Sequence, residues 1–63
     1  MKNIVEQTRK MRGLTVKELA EKANITGQSL YNIESGKQIP NGVTTLRLAR
    51  LLKINVYELF LID

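Results

Sequence analysis

Apolar positions recur along this 63-residue chain in runs with helical spacing, and nowhere with the strict alternation of a half-buried strand. The first run covers Met1 to Arg12. It places Met1, Val5 and Thr8 on one side, with Ile4 beside them, and leaves Lys2, Glu6, Lys10 and Arg12 for water. This predicts an amphipathic helix ending near Gly13. In the second run, LTVKELAEKAN, Thr15 can cap a helix and Glu18 can reach back to close a capping box. Leu19, Ala20 and Ala23 form its inner face, and the two alanines allow another helix to approach closely. Asn24 tolerates the left-handed conformation that ends a helix, and Ile25 follows as an apolar plug. Thr26 can then cap a third helix at once, a helix-turn-helix spacing.

The third helix, residues 26–35, turns Leu30 and Ile33 inward and leaves Gly27, Gln28, Ser29, Tyr31 and Asn32 facing out. It opens on weak helix formers, which a helix built only to fill a core would not need. Gly36 ends it. The loop SGKQIPN leads to Asn41, which can cap a fourth helix from Gly42 or Val43, with Leu48, Ala49 and Leu52 inward and Arg47, Arg50 and Lys53 elsewhere. Asn55 followed by Glu58 predicts a second capping box at the head of a last short helix, NVYELF. The expected fold class is all-α, a compact five-helix domain over residues 1–63.

Composition narrows the chemistry. The chain has ten Lys and Arg against six Asp and Glu, a formal charge of +4, and neither cysteine nor histidine. A disulfide framework and a zinc site of the usual ligands are therefore excluded. The basic surplus favours an anionic partner, with nucleic acid ahead of a membrane surface. No apolar run approaches the roughly 20 residues of a membrane span, and the start lacks the apolar core of a signal peptide, so the default location is cytoplasmic. The Ser-Gly-Lys stretch is not a nucleotide-binding loop, because Tyr31 stands where the first glycine of G-x-x-x-x-G-K-[ST] belongs and Gln38 where the hydroxyl residue belongs. No nucleophile is placed with a base, so the expectation is no enzyme, no metal and no cofactor.

Several motifs, taken in order, resemble the Cro/cI-type helix-turn-helix repressors, also called the XRE family. They are R-K-M-R-G-L-T at Arg9 to Thr15, E-L-A-E-K-A at Glu18 to Ala23, I-E-S-G-K at Ile33 to Lys37, Pro40, and Y-E-L-F at Tyr57 to Phe60. The resemblance implies the lambda repressor-like fold, with the third helix in the DNA major groove and the second across the backbone. A first turn free of apolar cover then has a reason: its side chains replace water on the bases. Carried over position by position, the base-facing residues are Gly27, Gln28, Ser29 and Asn32. The amides of Gln28 and Asn32 suit N6 and N7 of adenine. Gly27 departs from the family, which usually has a side chain there.

The phosphate-facing set is Thr15, Lys17, Thr26, Tyr31, Lys37, Gln38 and Asn41, with backbone N–H groups at the starts of the second and fourth helices as further donors. Val16 stands where many members have a glutamine that contacts the backbone, so that contact is missing. Arg9 and Glu34 match positions that pair the first helix with the end of the recognition helix.

These features point to a sequence-specific regulator of transcription acting as a homodimer on a palindromic operator, and the resemblance implies a repressor of bacterial, phage or mobile-element origin. Because the fold fills the chain, no appended sensor domain is expected. The C-terminal region is richer in apolar residues than a short helix needs. Leu59 and Phe60 are candidates for the core, and Leu51, Tyr57, Phe60, Leu61 and Ile62 for the dimer interface. The alternative function is an antitoxin or adaptor that holds a partner protein through this tail.

Overall fold

A computed structural model describes residues 2–61. Five helices follow in order: α1 (Val5–Met11), α2 (Val16–Lys22), α3 (Gly27–Glu34), α4 (Gly42–Leu52) and α5 (Val56–Leu59). No strand occurs among the described residues, and no helix there is long and apolar enough to cross a membrane.

The inward positions of all five helices meet in one core. Val5, Leu19, Ala23, Leu30, Leu48, Leu52 and Leu59 have no exposed surface, and Ala20, Ile33 and Phe60 are nearly as covered. Helical periodicity is what assembles this set, since the residues lie at i, i+3 or i, i+4 along their helices. Helix α4 is the longest and packs against α1, α2 and α5.

Cap chemistry sets most of the boundaries. Thr15 Oγ1 accepts from the Glu18 N–H at 3.0 Å, and the Glu18 carboxylate accepts from the Thr15 N–H at 2.9 Å, completing the capping box. Thr26 caps α3 through the Ser29 N–H at 3.0 Å, and Asn41 caps α4 through the Thr44 N–H at 2.8 Å. Each satisfies one of the donors that a helix start leaves without a partner. Asn24 does adopt the left-handed conformation, with φ 60°.

Three expectations need correction. Helix α1 begins at Val5, well after the start of the predicted run. Asn3 Oδ1 takes the Val5 N–H, and the Ile4 N–H is spent on the carbonyl of Leu59 at 2.8 Å, so a tertiary bond replaces the first helical turn. Met1 lies outside the described residues. Helix α5 is capped by Asn55, but through the Tyr57 N–H at 2.8 Å, so no reciprocal box with Glu58 forms. Phe60, counted among the interface candidates, is 2 % exposed and belongs to the chain's own core.

The α2 capping box yields a pH prediction. Accepting from the Thr15 backbone N–H, and then from the Thr15 side chain, holds the Glu18 carboxyl below the usual carboxylate range. A depressed folded-state pKa contributes stability that is present above the unfolded pKa and is lost as pH falls through the folded one. Glu18 is fully exposed to solvent, so the effect is small. In Glu18→Gln the box geometry can persist without the charge, and thermal melts should decline less steeply on acidification than in the parent chain. Equal slopes would show that the box contributes no proton linkage.

Candidate nucleic-acid interface

The α2–turn–α3 unit is built with little slack. The Ile25 N–H returns to the Ala20 carbonyl at 2.9 Å, while Asn24 supplies the sharp reversal of the chain. Alanines at 20 and 23 bring α3 close to α2, and half-buried Ile25 closes the turn. The result is a fixed platform from which the first turn of α3 projects.

The outward residues of that turn differ in how far they are committed. Gly27 and Gln28 are exposed, whereas Ser29 and Asn32 are half-buried. A Cβ at Gly27 would meet only the Val16 γ-methyl at 3.8 Å, an ordinary contact. Neither backbone conformation nor packing requires glycine here, so the missing side chain leaves free surface. Gln28 Nε2 donates to Asn32 Oδ1 at 3.1 Å, a bond between residues one turn apart. Gln28 Oε1 and Asn32 Nδ2 of the two side chains remain without a protein partner among the described residues.

Ser29 is tied to the following loop: Gln38 Nε2 donates to Ser29 Oγ at 3.0 Å. Gln38, expected at phosphates, is thus turned toward α3. The same loop is pinned at its backbone, where the Lys37 and Gln38 N–H groups both donate to the Asn32 carbonyl. Lys37 itself stays exposed, as do Lys17 and Tyr31. Thr15, Thr26 and Asn41 are exposed at helix starts, with their side-chain oxygens engaged as caps.

The ion pair sits behind this surface. Arg9 Nε donates to Glu34 Oε2 at 2.7 Å and Nη2 to Oε1 at 3.3 Å, with the two side chains 9 % and 6 % exposed. Arg9 Nη1 also donates to the Leu14 carbonyl at 3.0 Å. The hydrogen bonds to Glu34 raise the Arg9 pKa further, against the opposing effect of burial. A two-pronged guanidinium–carboxylate contact fixes direction as well as distance, so α1 sets the angle at which α3 leaves the core. Asn3 adds a second fastening by donating from Nδ2 to the Ile33 carbonyl at 2.8 Å. Sequence reasoning did not find Asn3 or the Ser29–Gln38 bond. Both link residues far apart in sequence or loop, and neither residue type signals its partner.

The residues considered for a dimer interface differ in exposure. Tyr57 and Leu61 are exposed, Leu51 is half-buried, and Ile62 lies outside the described residues. Comparable or larger apolar exposure falls outside this set, at Met11 (84 %) at the end of α1 and at Ile39 (72 %), Leu46 (65 %) and Val43 (57 %) on α4 and the loop before it.

A helix-turn-helix domain model matches residues 3–61. The chain belongs to the XRE-type helix-turn-helix family. An HTH-type transcriptional regulator of Methanothermobacter thermautotrophicus is 33 % identical over 64 residues, covering 100 % of this chain and 93 % of that one. Another, from Methanocaldococcus jannaschii, is 27 % identical with 100 % and 96 % covered. Among solved structures, the N-terminal DNA-binding domain of SinR from Bacillus subtilis superposes with a TM-score of 0.76 at 31 % identity, over 84 % of this chain and 78 % of that one. SinR bound to DNA gives the same score and identity, with 84 % and 86 % covered. A chain of the SinR–SinI complex gives 0.77 at 31 % identity, over 84 % of this chain and 52 % of that one, so this chain spans about half of that neighbour's length. The family is one of transcriptional regulators and is not an enzyme class.

Proposed function

We propose that this protein is a sequence-specific regulator of transcription that binds double-stranded DNA, with the first turn of α3 in the major groove. The observation that carries this reading is the Gln28–Asn32 amide pair, held on an uncovered helix start whose direction is fixed by the Arg9–Glu34 pair. The neighbouring structure of SinR in complex with DNA supports the DNA-binding part of this reading. Gly27, Gln28, Ser29 and Asn32 face bases in this reading. Lys17, Lys37, Tyr31 and the N–H groups at the starts of α2 and α4 face phosphates. Gln38 acts through Ser29, as a brace. The protein does no catalysis of its own, works in the cytoplasm, and represses by occupying promoter DNA as a single domain over residues 1–63.

A single domain of this kind reads few base pairs, so the working unit is a homodimer on a palindrome with half-sites about one helical turn apart. The exposed apolar side chains of Val43, Leu46, Tyr57 and Leu61 supply surface for such contact. The adaptor alternative, in which the tail holds another protein, draws on the same exposed Tyr57 and Leu61.

Selection from random duplexes, read beside sedimentation of the same sample, tests the reading. The expected result is a palindrome with A·T pairs in each half-site and a dimer mass on DNA. Gln28→Ala and Asn32→Ala should each lose about 1–3 kcal/mol of discrimination at one position. A dimer touching about six phosphates should give a log affinity against log salt slope near −5. Salt dependence without any enriched sequence would overturn the specific reading.

A further inference from the structure

A second charged surface lies apart from the first turn of α3. Lys22 at the end of α2 and Arg47 and Arg50 on α4 line a shallow groove of about 330 Å³ with Leu51 at its apolar side. All three cations are exposed, and none makes a hydrogen bond or ion pair with the described residues. Glu18, one turn back on α2, senses the charge of Lys22 without contacting it. Three like charges therefore converge unpaired beside a half-buried leucine.

The groove is placed away from DNA, a placement that rests on the reading above. The starts of α2 and α4 are the ends assigned to phosphates. Lys22 and the Arg47–Leu51 segment lie about 7 to 14 Å of helix beyond those starts, at about 1.5 Å per residue. A duplex seated on α3 leaves them uncovered.

We infer that this groove docks an acidic, amphipathic segment of a partner protein while α3 is on DNA. Arg47 and Arg50 are three apart on α4 and so project on one side, offering two planar forks that match carboxylates bidentately. Lys22 adds a point charge from the facing helix. Leu51 gives the occupant's apolar side chain a place to pack, a complement that a sugar-phosphate backbone does not use. The volume matches a few side chains. Carboxylates on either side of one apolar residue, at helical spacing, fit this arrangement.

Titration of the ¹⁵N-labelled full chain tests the inference. The probes are a synthetic helix of Glu, Leu and Ala, the same helix with Gln in place of Glu, and the duplex that emerges from selection or, failing one, a random-sequence duplex. The acidic helix should shift the amides of Lys22 and Arg47–Leu51, with or without duplex present, and the Gln helix should not. Arg47→Glu/Arg50→Glu should weaken acidic-helix binding by about tenfold or more, and duplex affinity by much less, as the general loss of positive charge requires. Arg47→Gln/Arg50→Gln serves if the reversed charges disturb folding. Equal binding of both helices, shifts scattered over other lysines, unaltered affinity in the variants, or displacement of the helix by duplex would overturn the proposal. A duplex that fails to shift Gly27–Asn32 would count against the DNA reading alone.

Discussion

Glu34→Ala should cost the domain about 3–5 kcal/mol, because it leaves the Arg9 guanidinium buried with its main partner gone. For a domain of this size each kcal/mol lowers the melting temperature by about 4–8 °C, so a loss of about 12 °C or more is expected. DNA affinity should fall further than the unfolded fraction explains, since the contact that sets the exit angle of α3 has been removed. The paired variant Arg9→Met/Glu34→Leu separates the two effects. Replacing a buried pair with apolar residues is often neutral or stabilising, so its melting temperature should recover. Its DNA affinity should stay low, because two flexible apolar side chains do not impose the direction that a forked pair does. Recovery of both would make the pair a matter of packing alone. An unchanged melting temperature in Glu34→Ala would remove it from the argument entirely.

Leu48→Ala should come close to unfolding the protein. Leu48 is fully buried on α4, the helix that touches α1, α2 and α5. Truncating a leucine at such a site costs about 2–5 kcal/mol, from lost burial and the cavity left behind. At about 0.05–0.15 kcal/mol per residue, a chain of 63 residues holds only about 3–9 kcal/mol in total. Urea unfolding should show the midpoint falling by half or more, or a chain already partly unfolded in buffer. A loss below about 1 kcal/mol would mean that neighbouring helices close the gap, and that the core is less tightly specified than its burial implies.

The parts of this fold that could be read in advance are those whose physics is local. Thr15, Thr26 and Asn41 cap helices with hydrogen bonds that reach only three residues, so residue type and spacing are enough to find them. Asn24 turns the chain because few other side chains tolerate positive φ. Where long-range contacts decide, the reading fell short. The Ile4 N–H takes the Leu59 carbonyl instead of leaving room for an earlier helical turn, and nothing near Ile4 announces Leu59. Lys53 ends α4 at φ 56° although neither glycine nor asparagine stands there, held in place by the N–H bonds that close the helix. Phe60 and Leu61 look alike in sequence, yet one is buried and the other exposed, a difference set by where α5 meets the core. At the candidate site, periodicity placed Gly27 and Gln28 outward. It could not reveal that Ser29 is joined to Gln38, because loop geometry alone brings Gln38 back to α3.

That Ser29–Gln38 bond bears on how such a protein diverges. Gly27 and Gln28 carry no duty in the core, so under the proposed DNA reading exchanging them would retarget the protein to another operator with little penalty in folding. Ser29 is different. A new side chain there strands the Gln38 carboxamide and leaves the loop that carries Lys37 tied to α3 only through its backbone bonds to the Asn32 carbonyl. If Ser29 faces a base as proposed, lineages that alter it should alter Gln38 in the same step, so that two residues nine apart in sequence evolve as one letter of the recognition code.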